Sequence, residues 1–314
     1  MTKLGFGCAP ILGRVGRQES IRALEVAYGE GINYFDIARS YGWGEAEFLL
    51  GDFLSKKSIC RDNLEITTKF GLVPRNNKLI RVSKQVARMI VNKLPQTRSA
   101  MKTVAGKTTS PSINFTLTNA KSSLEQSLRA LNTDYIDNIL FHGYDFQNQS
   151  YEVFEILEFL EAQKELGKIR NYGFSIYQPL ELASKFFKQN GINPDLIQMP
   201  CSLVDTSSPT IQEFESYKTR IIMHSPFKLE PGLRDLTTGN LSLSLGSVAG
   251  LRIESYQDLC ELFLSFFCLI HSPYAIVASM FNPLHIRKNV ETLNNMRFTK
   301  QQVENIMALL GICR

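Results

Sequence analysis

The chain has 314 residues, 44% hydrophobic and 21% charged, with a net charge of +5. These are the proportions of a globular protein, and no apolar run reaches the length that spans a bilayer. The N-terminus lacks a signal-peptide apolar segment and the six cysteines show no CxxC pairing, which excludes a disulfide scaffold and points to reduced thiols in the cytoplasm.

Short β-rich runs alternate with helical stretches along the chain. Leu4–Gly7 is the first predicted strand, and Ser20–Glu30 a helix with Ile21, Leu24, Ala27 and Tyr28 on one face and Gly31 as its stop. Ile32–Asp36 is the second strand, Glu45–Leu54 a helix, and Leu64–Thr68 a third strand that delivers Lys69. Thr118–Leu131 reads as a helix capped by Thr118, Tyr135–Phe141 as a fourth strand ending at His142, and Tyr151–Leu166 as an amphipathic helix. Strands over Arg170–Phe174, Leu196–Met199 and Arg220–Met223 alternate with helices over Leu180–Gln189 and Ile211–Lys218. A helix over Tyr256–Leu269, a strand over Ala275–Ala278 and a helix over Pro283–Leu293 complete the pattern.

Eight strand–helix units fit a closed parallel (β/α)8 TIM barrel better than an open sheet. An open dinucleotide-binding sheet would carry G-x-G-x-x-G after its first strand, and Gly5-Phe6-Gly7-Cys8 lacks that spacing. The expected organisation is one α/β domain over residues 1–314, with an insertion at about 71–115 after the third strand. In such a barrel, chemistry sits at the C-terminal strand ends. Asp36, Lys69 and His142 fall at three of these ends, and Tyr41 lies in the loop after the second strand.

These four side chains together suit the delivery of a proton to a carbonyl oxygen. Tyr41 is the acid, but a phenol with a pKa of about 10 is a poor donor near neutrality. A neighbouring Lys69 ammonium is expected to lower that pKa, with Asp36 holding the ammonium and His142 orienting the substrate oxygen. Singly, Asp36 reads as a turn cap, Tyr41 as rim packing, Lys69 as a surface lysine and His142 as a core histidine. The joint placement carries the catalytic reading. His224, His271 and His285 lack metal-ligand spacing, and no HExxH motif, nucleophile elbow or Walker loop occurs.

The segment Gly31-Ile32-Asn33-Tyr34-Phe35-Asp36-Ile37-Ala38-Arg39-Ser40-Tyr41-Gly42, continued by Glu47 and Gly51, resembles the second-strand signature of the aldo-keto reductases. Ile66–Gly71 resembles the family's lysine motif, Asp134–His142 its histidine motif, and Gly167–Ser175 the approach to its nicotinamide-binding serine. The resemblance implies a barrel that binds NAD(P)H across the strand ends, NADPH being the expected form and NADH the alternative. It implies that Ser175 and Gln198 hold the nicotinamide carboxamide, although Ile176 stands where Asn often follows the serine. His224 stands where a residue often packs on the nicotinamide ring, or is simply a strand-end histidine. Ser225, Phe227 and Leu229 match the loop around the pyrophosphate. Met280, His285 and Asn289 match the grip on the adenosine end, with Ser279 replacing the usual Lys or Gly and His285 replacing a frequent Arg; Arg287 and Lys288 remain nearby.

The implied activity is reduction of an aldehyde or ketone, or the reverse. Two other classes stand beside it: a nicotinamide-binding regulatory subunit with little turnover, and a lyase or isomerase using Lys69 as a Schiff-base amine. The partner expected is a small carbonyl compound such as a sugar or an anionic substrate, bound by a monomer or weak homo-oligomer.

Between Glu65 and Glu125 there is no acidic residue, whereas eleven Lys and Arg occur there. Val82, Val86, Met89 and Ile90 repeat at helical spacing within this insertion, with Lys78, Arg81, Lys84 and Arg88 on other faces. Such a helix is a solvated cover for the barrel mouth, or an electrostatic guide for an anionic substrate. It lacks the aromatic interleaving that would favour nucleic acid or a membrane surface.

Overall fold

A computed structural model describes residues 2–73, 112–148, 152–201, 208–227 and 255–309. The chain opens with β1 (Lys3–Gly7), α1 (Arg17–Gly29), β2 (Tyr34–Asp36), α2 (Ala46–Lys56) and β3 (Glu65–Phe70). A ribbon of β4 (Leu72–Val73) and β5 (Ser112–Ile113) leads to α3 (Leu117–Leu131), β6 (Ile136–His142) and α4 (Val153–Glu165). Then come β7 (Ile169–Ser175), α5 (Leu180–Asn190), β8 (Leu196–Pro200), α6 (Ser208–Ser216) and β9 (Arg220–His224). The chain finishes with α7 (Tyr256–Phe266), β10 (Ala275–Ala278), α8 (Pro283–Asn294) and α9 (Lys300–Leu309).

Eight parallel strands close in the order β1-β10-β9-β8-β7-β6-β3-β2, the expected (β/α)8 barrel. Strands buried on both faces need apolar residues on both, and β6 and β10 are buried at every position. The period-2 alternation divides the core into two layers. Tyr34, Leu140, Leu196, Ile222, Ala275 and Val277 form a small cluster inside the barrel. Phe35, Ile139, Phe141, Phe174 and Ile197 belong instead to the larger layer beneath the helices. The floor of the barrel is polar: Lys3 Nζ lies 2.6 Å from Glu65, and Tyr274 Oη donates to the same carboxylate at 2.7 Å.

The same alternation positions the site. Register aligns His142 with Ser175 and Ser175 with Gln198 on three adjacent strands. Asp36 pairs in register with Thr67, one alternation before Lys69.

Several element ends differ from expectation. Thr116, not Thr118, caps α3, accepting from Asn119 N at 3.2 Å. Asn114 turns the chain there by accepting from Thr116 N and Oγ1, which leaves Thr116 extended and its hydroxyl over the first turn. The helix expected to run to Leu269 gives way after Phe266 to a π-turn over Phe267–His271. The C-terminal α9 was not anticipated. Of the insertion, only the neck belongs to the described residues: Leu72 pairs with Ile113 and Val73 with Ser112. Gly71, with φ +99°, sits against the Phe115 ring where any Cβ would overlap it. The expected basic helix of the insertion and Leu229 lie outside the described residues.

Candidate active site

Lys69 sits on the last turn of pleat of β3 and Asp36 ends β2, so both side chains reach the C-terminal mouth from inside the barrel. Lys69 Nζ donates to both Asp36 carboxylate oxygens at 2.7 Å and to the Ile37 carbonyl at 3.0 Å. Lys69 is 1% and Asp36 5% exposed. Three hydrogen bonds offset the cost of burying the ammonium. Gln198 Nε2 donates to the same carboxylate at 2.7 Å.

Tyr41 follows a turn in which its N–H donates to the Ala38 carbonyl at 3.1 Å. Gly42 and Trp43 then adopt left-handed conformations, φ 56° and 62°. For Trp this is strained by about 1–3 kcal/mol, the kind of cost that clusters at working sites. The turn brings the Tyr41 ring centroid to 5.3 Å from Lys69 Nζ. The His142 ring meets the Tyr41 ring edge-on at 5.8 Å. Thus the four residues read from the sequence converge on one small space.

The electrostatics correct one expectation. The Tyr41 pKa is raised well above the ordinary phenol value, first by desolvation and then by the Asp36 charge. Burial and the Asp36 charge outweigh the lowering expected from the neighbouring Lys69 ammonium. His142 has a pKa well below the usual imidazole value, through burial and then the charges of Lys69 and His224. It is therefore neutral. Its Nδ1 is buried without a partner, and an orphaned buried N–H is rarer than an orphaned acceptor. This favours the tautomer with the proton on Nε2, which lies 3.4 Å from Tyr177 Oη.

Two buried polar atoms lie among the residues expected to hold a cofactor. Ser175 Oγ has no hydrogen-bond partner of good geometry, although it lies near the Tyr177 hydroxyl, whose pKa is raised by desolvation despite that contact. Asn289 Oδ1 also has no partner, while its Nδ2 donates to Met280 Sδ at 3.1 Å. Each such atom costs about 1–3 kcal/mol when left unsatisfied, so a ligand offering polar groups would suit both points. His224 Nδ1 and Ser225 Oγ are 3.0 Å apart, and Ser225 takes a left-handed backbone, φ 62°. Phe227 packs against the core. His285 is exposed in the first turn of α8, which Asn282 caps by accepting from Leu284 N at 3.0 Å. Arg287 is drawn away by Glu30, its Nε 2.9 Å from the carboxylate. Ile176 is 1% exposed and belongs to the larger core layer beneath the helices. Among the described residues, no cluster of His, Cys, Asp and Glu could hold a metal ion.

Sequence reasoning missed two participants. Tyr177 lies in the loop two residues beyond Ser175, its hydroxyl 3.4 Å from His142 Nε2. Glu47 was noted only as part of a signature. It is 1% exposed, pairs with Arg39, and accepts from Thr68 Oγ1 at 2.6 Å and Ser127 Oγ at 2.8 Å. Arg39 N donates to the Lys69 carbonyl at 3.1 Å. One carboxylate thereby ties the Tyr41 turn to the strand carrying Lys69.

A model of the aldo/keto reductase family matches residues 3–233. The chain belongs to the aldo/keto reductase family. This aldo/keto reductase is 26% identical over 188 residues to the aryl-alcohol dehydrogenase GME11368 of Pestalotiopsis microspora, covering 58% of this chain and 40% of that protein. It is 22% identical to the L-galactose dehydrogenase of Arabidopsis thaliana, covering 56% of this chain and 44% of the relative. The chain spans less than half the length of these curated relatives. An uncharacterised oxidoreductase of Bacillus subtilis matches more fully, at 23% identity over 98% of this chain and 92% of its own. Among solved structures, aldo-keto reductase AKR11C1 from Bacillus halodurans, in its holo form, superposes with a TM-score of 0.70 at 23% identity, covering 99% of this chain and 92% of its own. These structures share the fold.

Proposed function

We propose that this aldo/keto reductase is an NAD(P)H-dependent oxidoreductase that reduces an aldehyde or ketone to an alcohol, or runs the reverse reaction. The observation that carries the proposal is the buried Lys69–Asp36 pair with the Tyr41 and His142 rings closing over it. Ser175 and Gln198 would hold the carboxamide of the nicotinamide, His224 would face its ring, and Ser225 and Phe227 would line the pyrophosphate. Met280, His285 and Asn289 would hold the adenosine end. A bound reduced nicotinamide supplies the hydride.

The chain's own residues handle the proton. Tyr41 donates from Oη to the carbonyl oxygen as negative charge gathers there, and His142 donates a hydrogen bond from Nε2 to the same oxygen. Lys69, hydrogen-bonded to Asp36, stabilises the phenolate left on Tyr41. The raised pKa keeps the proton on Tyr41 until the oxygen becomes basic enough to take it.

NADPH is the first cofactor to test, as the family resemblance implies, and NADH the second, because Glu30 engages the Arg287 that a 2′-phosphate would need. The experiment is consumption of each cofactor against a panel of aldehydes, ketones, sugars and keto acids. Turnover that survives undiminished in Tyr41→Phe would remove the proposal's proton donor; absence of turnover across the panel, with cofactor bound, would favour a regulatory role.

A further inference from the structure

The hydrogen bond from Gln198 to Asp36 has no part in the chemistry above. Gln198 ends on β8 and Asp36 on β2, strands that stand on opposite sides of the closed ring, so the bond crosses the inside of the barrel. Gln198 Nε2 lies 2.7 Å from Asp36 Oδ1, which also accepts from Lys69 Nζ at 2.7 Å. Gln198 is 1% exposed. A carboxylate has only acceptors to offer. It meets the nitrogen of an amide and not the oxygen, so the Gln198 amide has one orientation: Nε2 toward Asp36 and Oε1 away from it. Nε2 keeps a second N–H, but an acceptor reaching for it would come up against the Asp36 charge. What Gln198 offers a ligand is thus an acceptor. Beside it in register stands Ser175, fully buried, whose Oγ has no partner of good geometry and can donate. A hydroxyl and an amide oxygen on neighbouring strands suit a ligand with an acceptor and an N–H donor on one planar group.

We propose that Asp36, besides holding Lys69, fixes the hydrogen-bonding polarity of Gln198 and so makes the site select the pyridine substituent of its dinucleotide: a group that donates an N–H is taken, and one that only accepts is refused. This rests on the nicotinamide placement proposed above and deepens it. Asp36 is a positioning residue in this role, because it acts through Gln198. A primary carboxamide satisfies both points, giving its N–H to Gln198 Oε1 and its oxygen to the Ser175 hydroxyl. A methyl ketone in its place still accepts from Ser175 but sets a methyl group against Gln198 Oε1. A carboxylate is worse, because it sets oxygen against oxygen with the Asp36 charge behind. A Gln198 amide free to turn would serve the ketone or the acid with its nitrogen and would distinguish the three far less.

The test is isothermal titration calorimetry of the full chain with NADP+, 3-acetylpyridine adenine dinucleotide phosphate and nicotinic acid adenine dinucleotide phosphate, or with the matching NAD series where that binds more tightly. The expected order of affinity is carboxamide, ketone, acid. The ketone should bind about three- to tenfold more weakly than the carboxamide, the range one neutral hydrogen bond commands, and the acid more weakly again. Gln198→Met removes the acceptor, so the carboxamide should lose about three- to tenfold while the ketone keeps its Kd and the two converge. In Gln198→Glu two carboxyl groups share the point and their repulsion retains a proton between them; the outer oxygen still accepts, so the order should persist. Asp36→Asn presents either a donor or an acceptor, frees the Gln198 amide to turn, and should narrow the gap between carboxamide and acid. An acid bound as tightly as the carboxamide by the unaltered protein, equal weakening of all three by Gln198→Met, or reversal of the order in Gln198→Glu overturns the assignment. So does an Asp36→Asn protein that folds and keeps the full gap; the Gln198 variants decide where it does not fold. The expected order with no carbonyl reduced supports the assignment while the reductase reading fails, and turnover with the order absent does the reverse. Failure of every dinucleotide to bind overturns both.

Discussion

Tyr41 must give up a proton in surroundings that oppose its phenolate. The consequence appears in the direction that needs the phenolate first: alcohol oxidation should keep rising beyond the ordinary phenol value of about 10, measured as kcat against pH. Tyr41→Phe should lose about 10²–10⁴-fold in turnover while retaining cofactor binding by titration. His142 makes an opposite demand on stability. Its folded pKa is depressed, so the unfolded chain takes up the proton first as pH falls. Its contribution to stability is full above the unfolded value of about 6.5 and is lost as pH drops below it toward the folded pKa. His142→Asn should flatten the change in urea midpoint between pH 7.5 and 5.5 relative to the unaltered protein. Asp36, Lys69 and His142 were readable in the sequence because each ends an apolar run. The sign of the Tyr41 shift was not, since it depends first on how deeply the fold buries the phenol and then on the Asp36 charge beside it. Tyr177 was passed over because nothing in Ser175-Ile176-Tyr177 says which way a loop ring will turn.

Among the elements, α2 has a duty beyond packing. Glu47 on its first turn holds Arg39, Thr68 and Ser127, so the helix, the Tyr41 turn, β3 and α3 meet at one carboxylate. Removing it leaves the Arg39 charge buried without its partner, a change that costs about 3–5 kcal/mol. Glu47→Ala should lower unfolding stability by that amount in urea, and Glu47→Gln by less, because the amide still accepts from Thr68 or Ser127. The strands were legible to within one or two residues, since parallel strands in a closed barrel are apolar on both faces. Helix ends were less so. Thr116 outcompetes Thr118 as a cap through a turn built by Asn114, and the π-turn at Phe267–His271 depends on packing between Phe266, Phe267 and His271. Local composition does not announce either.

For the whole molecule, the neck of the insertion is informative. Leu72 and Ile113 are paired, so the chain leaves the barrel and returns at one place. Replacing residues 74–111 with a short Asn-Gly turn should leave the barrel folded, with its thermal midpoint little changed. It would also delete nine basic residues and shift the net charge from +5 to −4. If the insertion guides anions, kcat/KM for 4-carboxybenzaldehyde should fall as NaCl rises in the full chain and be insensitive to salt in the shortened one.

Closure itself has a kinetic side. The first strand pairs on one side with residues 34–36 and on the other with residues 275–278, synthesised some 270 residues later. Until those final residues emerge from the ribosome, Lys3–Gly7 presents an unzipped backbone edge with no permanent neighbour. The growing chain must therefore pass through a half-open cylinder that other chains could join, and shielding of that edge during synthesis, rather than the strength of the finished ring, is where yield in a heterologous host should be decided.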